Sequence, residues 1–179
     1  KTKYSKEIVN TLVTRHEDFN RAGGLLYDSK RYKEAAEAWG IYSSLPYSGL
    51  AERSKFVVAD TIIGMTAYYQ GIVLWKDGNV NDAVGAFANA RKLGYKHKEA
   101  YDYALSCAAQ AKDNVAIVAI AEEAYKEFGG KDIQYLNVLI NDKLSKEEFD
   151  DAETLINDAL KVDANNAELL NLKGLIVEN

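Results

Sequence analysis

A fixed pattern of small and large side chains recurs along this chain, and it restricts the fold more than any other feature. Four residues of the segment 23–39 are matched by residues of similar size 48 positions later. Both segments are typical of the end of one helix, a tight turn and the start of a second helix. A single helical hairpin cannot bury its apolar face alone, so the recurrence predicts hairpins that stack on one another. The matched pairs are Gly23 with Gly71, Leu26 with Leu74, Ala35 with Ala83, and Trp39 with Phe87.

The spacing predicts one all-α domain over residues 1–179, built from four hairpins and two flanking helices. The third hairpin follows the second at a step of 34 residues, and the fourth is one residue out of step, which Gly129-Gly130 can absorb. The predicted segments are an N-terminal helical extension (1–15), four repeats (16–49, 64–97, 98–131 and 133–166) and a capping helix that starts a further repeat (167–179).

Residues 47–63, between the first two repeats, are too apolar for a solvated loop. Ser54-Lys55-Phe56-Val57-Val58 is similar to Ser5-Lys6-Glu7-Ile8-Val9, where a helix with Ser5 as its N-cap is predicted. We therefore expect both stretches to start long first helices, with Tyr47-Ser48-Gly49 as the connecting turn. Pro46 is expected to mark the end of the preceding helix, since proline cannot donate to the helical hydrogen-bond ladder.

These registered copies resemble the tetratricopeptide repeat (TPR) family. The resemblance implies a right-handed superhelix of stacked antiparallel helical hairpins, and the alternative is a generic helical bundle, which has no reason to keep this spacing. The third copy departs most from the family pattern, with Leu105 in place of Gly and Ile117 in place of Ala. The motif residues are Gly23, Tyr32, Ala35, Trp39 and Pro46 in the first copy, Gly71, Gly78, Ala83, Phe87 and Ala90 in the second, and Phe149, Ala152, Ile156 and Ala159 in the fourth.

Composition narrows the classes of function. The net charge is −5, and no clustered run of Lys and Arg is present, which argues against a nucleic-acid surface. No apolar stretch approaches the ~20 residues that span a bilayer. The chain starts at Lys1, which suggests a processed or excised segment, and a composition rich in Asn and Tyr favours a periplasmic or secreted location.

No constellation of residues predicts catalysis, a metal or a cofactor. His16 and His97 lack partners at metal-ligand spacing, and both are expected to be solvated at helix ends. Cys107 is expected to be a small core residue, because a reactive thiol needs an accessible, electropositive site. We therefore predict that the chain is not an enzyme.

In the resembled family the first helices line a concave groove, and matching repeat by repeat assigns its residues here. Tyr and Trp bury much area at a small entropy cost, so an aromatic surface there is suited to recognition. Glu99 and Tyr69 stand where members that bind chaperone tails need a basic clamp, so that ligand is excluded. The assigned residues are Asn20, Arg21, Tyr27, Tyr68, Tyr69, Trp75, Asp102, Tyr103, Asn137, Asn141 and Asn171.

The predicted function is a non-catalytic scaffold that binds a protein or peptide, neutral or basic, in this groove. Apolar side chains of the partner would pack on the tyrosines, and asparagines would pair with its backbone, since amides both donate and accept. Two alternatives are a carbohydrate-binding surface that uses Tyr and Trp stacking, and a self-assembly module that forms homo-oligomers.

Overall fold

The chain is helical throughout the part that its computed structural model describes, which is residues 3–177, with side chains for 4–176. In that range it forms ten α-helices and two 3-10 helices, with no β-strand, and none of the helices is long and apolar enough to cross a membrane. The all-α prediction is confirmed, and residues 1–2 and 178–179 of the predicted flanking helices lie outside the described residues. The α-helices are α1 (Lys3–Thr14), α2 (His16–Asp28), α3 (Tyr32–Ser44), α4 (Asp60–Lys76), α5 (Val80–Lys92), α6 (Lys98–Ala111), α7 (Asn114–Phe128), α8 (Ile133–Ser145), α9 (Phe149–Val162) and α10 (Ala167–Val177), and the 3-10 helices are Leu45–Tyr47 and Arg53–Lys55.

The helices form two compact units, one ending at Ala111 and the other beginning at Lys112. In the first unit each helix from α2 to α5 packs against the next helix in the sequence, and α1 contacts α2. In the second unit α7, α8, α9 and α10 pack successively in the same way. The boundary falls between the two helices of the predicted third repeat, and the limits of the four repeats stay predictions.

The second helix of every predicted hairpin begins in the same register. Ala35, Ala83, Ile117 and Ala152 are each the fourth residue of α3, α5, α7 and α9. Each donates its backbone N–H to the carbonyl of the residue just before the helix, at 2.9–3.0 Å. The predicted recurrence is therefore present in the backbone itself. All eight residues at the eighth and eleventh positions of these helices are buried: Trp39, Phe87, Ala121, Ile156, Tyr42, Ala90, Ala124 and Ala159.

The turns inside the hairpins share a left-handed residue two positions before the second helix. Gly78 has φ +84°, and Lys30, Lys112 and Glu147 take the same position with φ between +57° and +59°. A side chain costs roughly 1–2 kcal/mol in this conformation, which glycine adopts freely. The turns of the first, third and fourth hairpins therefore carry a strained residue at the position where the turn of the second hairpin has glycine.

Within the first unit, two hairpins are closed by a glycine on the first helix and an aromatic ring on the second. A Cβ at Gly23 would lie 2.3 Å from Nε1 of Trp39, and one at Gly71 would lie 2.7 Å from Cε1 of Phe87. The indole N–H of Trp39 also donates to the carbonyl of Asn20 at 3.2 Å. The ring therefore packs directly on the backbone of the first helix.

The equivalent contact in the second unit is made without glycine. Ile140 stands nine residues before α9, as Gly23 stands nine before α3, and Ile156 takes the position of Trp39. Both isoleucines lie in one core cluster with Leu136, Ala159 and Leu169. Two medium-sized side chains thus fill the space that a glycine and an aromatic ring fill in the first unit.

The expectation that residues 54–58 start a long first helix is wrong. Residues 48–59 form an irregular loop with one 3-10 turn, and α4 begins only at Asp60. The guanidinium of Arg53 donates to the carbonyls of Phe56 at 2.7 Å and Val58 at 2.6 Å, and to the carboxylate of Asp60 at 2.6 Å. These bonds satisfy the loop backbone and allow Phe56, 4% exposed, to be buried without a helix.

We expect Gly23→Ala to destabilise the protein by about 1–3 kcal/mol, because the added methyl must displace the Trp39 ring from a packed core. Gly24→Ala is the matched control, since a Cβ there meets nothing within 4 Å. It should raise the stability by about 0.5–1 kcal/mol through helix propensity. Urea unfolding followed by circular dichroism measures both, and equal effects of the two variants would contradict the packing argument.

The strained turn residue yields a prediction of the opposite sign. Lys30→Gly should stabilise the protein by about 1 kcal/mol, because it relieves the left-handed conformation at an exposed position. Gly78→Ala should destabilise it by about 1 kcal/mol at the equivalent turn. A lower urea midpoint for Lys30→Gly than for the wild type would contradict this prediction. It would show that the lysine side chain stabilises the protein by more than its left-handed backbone conformation destabilises it.

Candidate functional site

The prediction of a solvated His16 is wrong, because this histidine belongs to a buried aromatic cluster. It is 3% exposed, and its ring stacks on Tyr42 with the centroids 4.2 Å apart. Its Nε2 lies 2.7 Å from the carbonyl oxygen of Tyr42, and Phe56 from the irregular loop packs edge-on at 5.0 Å. His97 lies on the surface as expected.

Cys107 is a core residue, as predicted. Its side chain is fully buried in α6, and burial raises the pKa of the thiol to about 11. A raised pKa is the opposite of what a nucleophilic thiol needs. No group of three or more potential metal ligands occurs among the described residues.

The predicted aromatic residues of the first unit come together as one continuous series of rings. Tyr27 of α2 lies 6.1 Å from Trp39, which lies 5.9 Å from Tyr69 of α4. Tyr69 and Tyr103 flank Tyr68 at 5.5 and 6.2 Å. The series therefore joins three first helices, α2, α4 and α6, over the two hairpin cores.

The rings of this series differ in exposure. Tyr27 and Tyr69 are 36% and 43% exposed, whereas Tyr68 is 9% exposed and packs between Tyr103, Tyr95 and Phe87. Burial raises the pKa of Tyr68 to about 12, with smaller contributions from neighbouring groups, so its hydroxyl stays neutral. Tyr68 thus supports the surface from below. We call the accessible rings the aromatic strip: Tyr27, Tyr69, Trp75 and Tyr103.

The aromatic strip is held in place by contacts at both ends. The indole N–H of Trp75 donates to the amide oxygen of Gln110 at 2.9 Å, and its ring lies 5.6 Å from Tyr103. At the other end the ammonium of Lys76 lies 5.5 Å from the rings of Tyr27 and Tyr32. A cation at this distance is attracted to a ring face. These contacts could not be predicted from the sequence, because Lys76 is more than 40 residues away from both tyrosines.

Two of the three predicted polar residues of the first unit already have side-chain partners within the chain. Asn20 is half-buried, and Arg21 lies 3.3 Å from the carboxylate of Asp18. Asp102 accepts from the ammonium of Lys98 at 2.9 Å, one helical turn away. These are surface pairs, so they contribute little to stability and leave the groups accessible to a ligand.

The predicted asparagines of the second unit are exposed. Asn137 and Asn141 are four residues apart on α8, which places them on one face of that helix. Asn171 is exposed on α10. Each can offer an amide to solvent or to a partner.

A groove that the sequence did not predict lies between α3 and α5, and α4 forms its floor. Its volume is about 850 Å³. Four small residues leave it open, and the amide of Gln70 lies against Gly40, where a Cβ would be 2.8 Å from Nε2. We call it the α3–α5 groove. Its small and floor residues are Ala36, Gly40, Gly85, Ala86, Gln70 and Leu74.

Comparison with known proteins agrees with the observed architecture. A sequence model described as "Tetratricopeptide repeat" matches residues 68–132. Among solved structures, one titled "MamA RS-1 ArsTM double mutant" is similar, with 14% sequence identity and a TM-score of 0.50. That similarity covers 90% of this chain and 83% of the other, and it concerns the fold alone. No curated protein matches the sequence.

Cys107 should be almost unreactive in the folded protein. With a pKa of about 11, about one thiol in a thousand is ionised at pH 8. A chromogenic disulfide should therefore label Cys107 at least about a hundredfold more slowly in buffer than in denaturing urea. Rapid labelling of the folded chain would show that α6 opens locally or that the thiol is accessible.

Proposed function

We propose that this chain, in which residues 68–132 match the tetratricopeptide repeat model, is a protein-interaction scaffold whose aromatic strip binds a segment of a partner protein without catalysing a reaction. The observation that carries the proposal is the continuous series of rings across α2, α4 and α6. Aromatic side chains of this kind dominate the energetics of interfaces when they are rigid and partly accessible.

Rigidity supports the proposal, because a surface that is already ordered loses little entropy on binding. Tyr69 rests on the buried rings of Trp39 and Tyr68. Trp75 is fixed by Gln110 and by Tyr103. A partner would therefore meet the aromatic strip in nearly its final arrangement.

The acidic residues beside the α6 end of the aromatic strip favour a neutral or basic partner. Glu99 is exposed at the start of α6, and Asp102 follows it on the same helix. The chain carries a net charge of −5, so long-range attraction also favours a basic segment. Exposed asparagines, Asn137 and Asn141 on α8 and Asn171 on α10, are further groups that would pair with a partner's backbone.

A scaffold without catalysis is consistent with the state of the chain's reactive groups. The thiol of Cys107 is buried with a raised pKa. His16 is enclosed by two rings and contacts the carbonyl of Tyr42. Neither group is arranged to attack a substrate.

The test begins with a photo-crosslinking amino acid at position 69 of the full chain, which identifies a partner at the aromatic strip. Calorimetry then compares the affinity of that purified partner for the wild type and for Tyr69→Ala combined with Tyr103→Ala. We expect a loss of about 30-fold or more, because truncated hot-spot rings cost at least about 2 kcal/mol. The single variant Tyr69→Ala should show part of this loss while its circular dichroism spectrum stays that of the folded wild type.

The matched control is Tyr4→Ala combined with Phe149→Ala, two exposed aromatic rings outside the aromatic strip. Its affinity should equal that of the wild type. Unchanged binding by the Tyr69 and Tyr103 double variant would remove the aromatic strip from the interface. Quenching of Trp75 fluorescence by soluble oligosaccharides, with no competition from the partner peptide, would instead identify a carbohydrate surface.

A further inference from the structure

We propose that the α3–α5 groove is a second binding site, separate from the aromatic strip, and that it takes an extended peptide segment with a basic side chain. The groove is lined by α3, α4 and α5, and its volume is about 850 Å³. Ligand-binding clefts commonly measure about 300–1,000 Å³. The aromatic strip residues are not among those that line it.

The length of the groove fits a short extended segment. Its α3 wall runs from Lys33 to Ser44 and its α5 wall from Asn79 to Asn89. At 1.5 Å per helical residue, each wall is about 15–17 Å long. An extended chain covers that distance with about five residues at 3.3 Å each.

Small residues let a peptide backbone approach the α5 wall, whereas the side chain of Gln70 covers Gly40 on the α3 wall. Ala36 and Gly40 lie on α3, and Gly85 and Ala86 lie on α5. A Cβ at Gly85 would meet nothing within 4 Å, so this wall is open to a ligand. Leu74 adds an apolar contact at the floor.

Amide side chains supply the hydrogen bonds that an extended backbone requires. Asn81 and Asn89 line the groove from α5, and their side chains make no hydrogen bond within the described chain. They lie two helical turns apart, about 12 Å. Backbone groups four residues apart in an extended peptide are separated by about 13 Å, so both amides can pair with one strand.

The charges of the two walls select a basic segment. Glu37 projects from α3 and Asp82 from α5, and neither makes an ion pair within the described chain. Lys33 is the one basic residue among those lining the groove. A lysine or arginine of the ligand would therefore be attracted to Glu37 and Asp82, whereas an acidic residue would be repelled.

Displayed random heptapeptides, selected on the intact wild-type chain, test the proposal. Gly85→Leu should close the groove and weaken the selected peptides at least tenfold, because the leucine side chain occupies the space of the ligand backbone. Gly174→Leu is the matched control, since a Cβ at this helical glycine also meets nothing within 4 Å. Both substitutions favour the helix, so both variants should fold.

Five results would together support the site. Groove-dependent peptides should be enriched in Lys or Arg and should weaken severalfold on Glu37→Gln combined with Asp82→Asn. They should bind Gly174→Leu as they bind the wild type. Tyr69→Ala combined with Tyr103→Ala should leave their affinity unchanged, which separates this site from the aromatic strip. Nuclear magnetic resonance should show shifts of the Asn81 and Asn89 side-chain amides on peptide binding.

Other results would overturn the proposal. One is that no selected peptide, tested at millimolar concentration, binds the wild type more tightly than Gly85→Leu. Another is that the selected peptides are enriched in acidic residues. A change in sedimentation behaviour between the wild type and Gly85→Leu would identify a second copy of the chain as the occupant in place of a peptide.

Discussion

The packing of the first unit depends on contacts between a glycine in the first helix of a hairpin and an aromatic ring in its second helix. Gly23 and Gly71 each leave a space that Trp39 and Phe87 fill, and no larger residue fits without displacing the ring. This contact fixes how closely the two helices of a hairpin approach. The same contact places the rings next to the first helices, where Tyr69 packs on Trp39. The same packing that closes each hairpin therefore builds the support of the aromatic strip.

Much of this architecture could be predicted from the sequence because it is encoded locally. A glycine, a turn and an alanine at fixed spacing predicted where α2, α3, α4 and α5 end or begin. Ala35 and Ala83 occupy matching positions, as their spacing indicated. Cys107 was correctly placed in the core, because its neighbours on the helix are small and apolar. Sequence resemblance then indicated which helices carry the aromatic strip.

The errors concern contacts between residues far apart in the sequence. His16 was expected at the surface, but Tyr42 and Phe56 enclose it from two later segments. The segment containing Phe56 was mistaken for a helix, because apolar content alone does not distinguish a helix from a loop that packs on a core. The α3–α5 groove was missed for a related reason. Its walls belong to different hairpins, and small residues on a helix surface carry no signal until a neighbour is placed opposite them.

The loop of residues 48–59 has a consequence for modularity. The repeats of tandem-repeat proteins are often treated as independent units that can be exchanged, duplicated or deleted. The first hairpin of this protein is an exception, because Phe56, from the loop that follows the hairpin, packs against the ring of His16. Deleting residues 48–59 to restore an even repeat spacing would therefore expose the buried His16 ring to water. A chimera that grafts the first hairpin onto another repeat protein must therefore include residues 48–59.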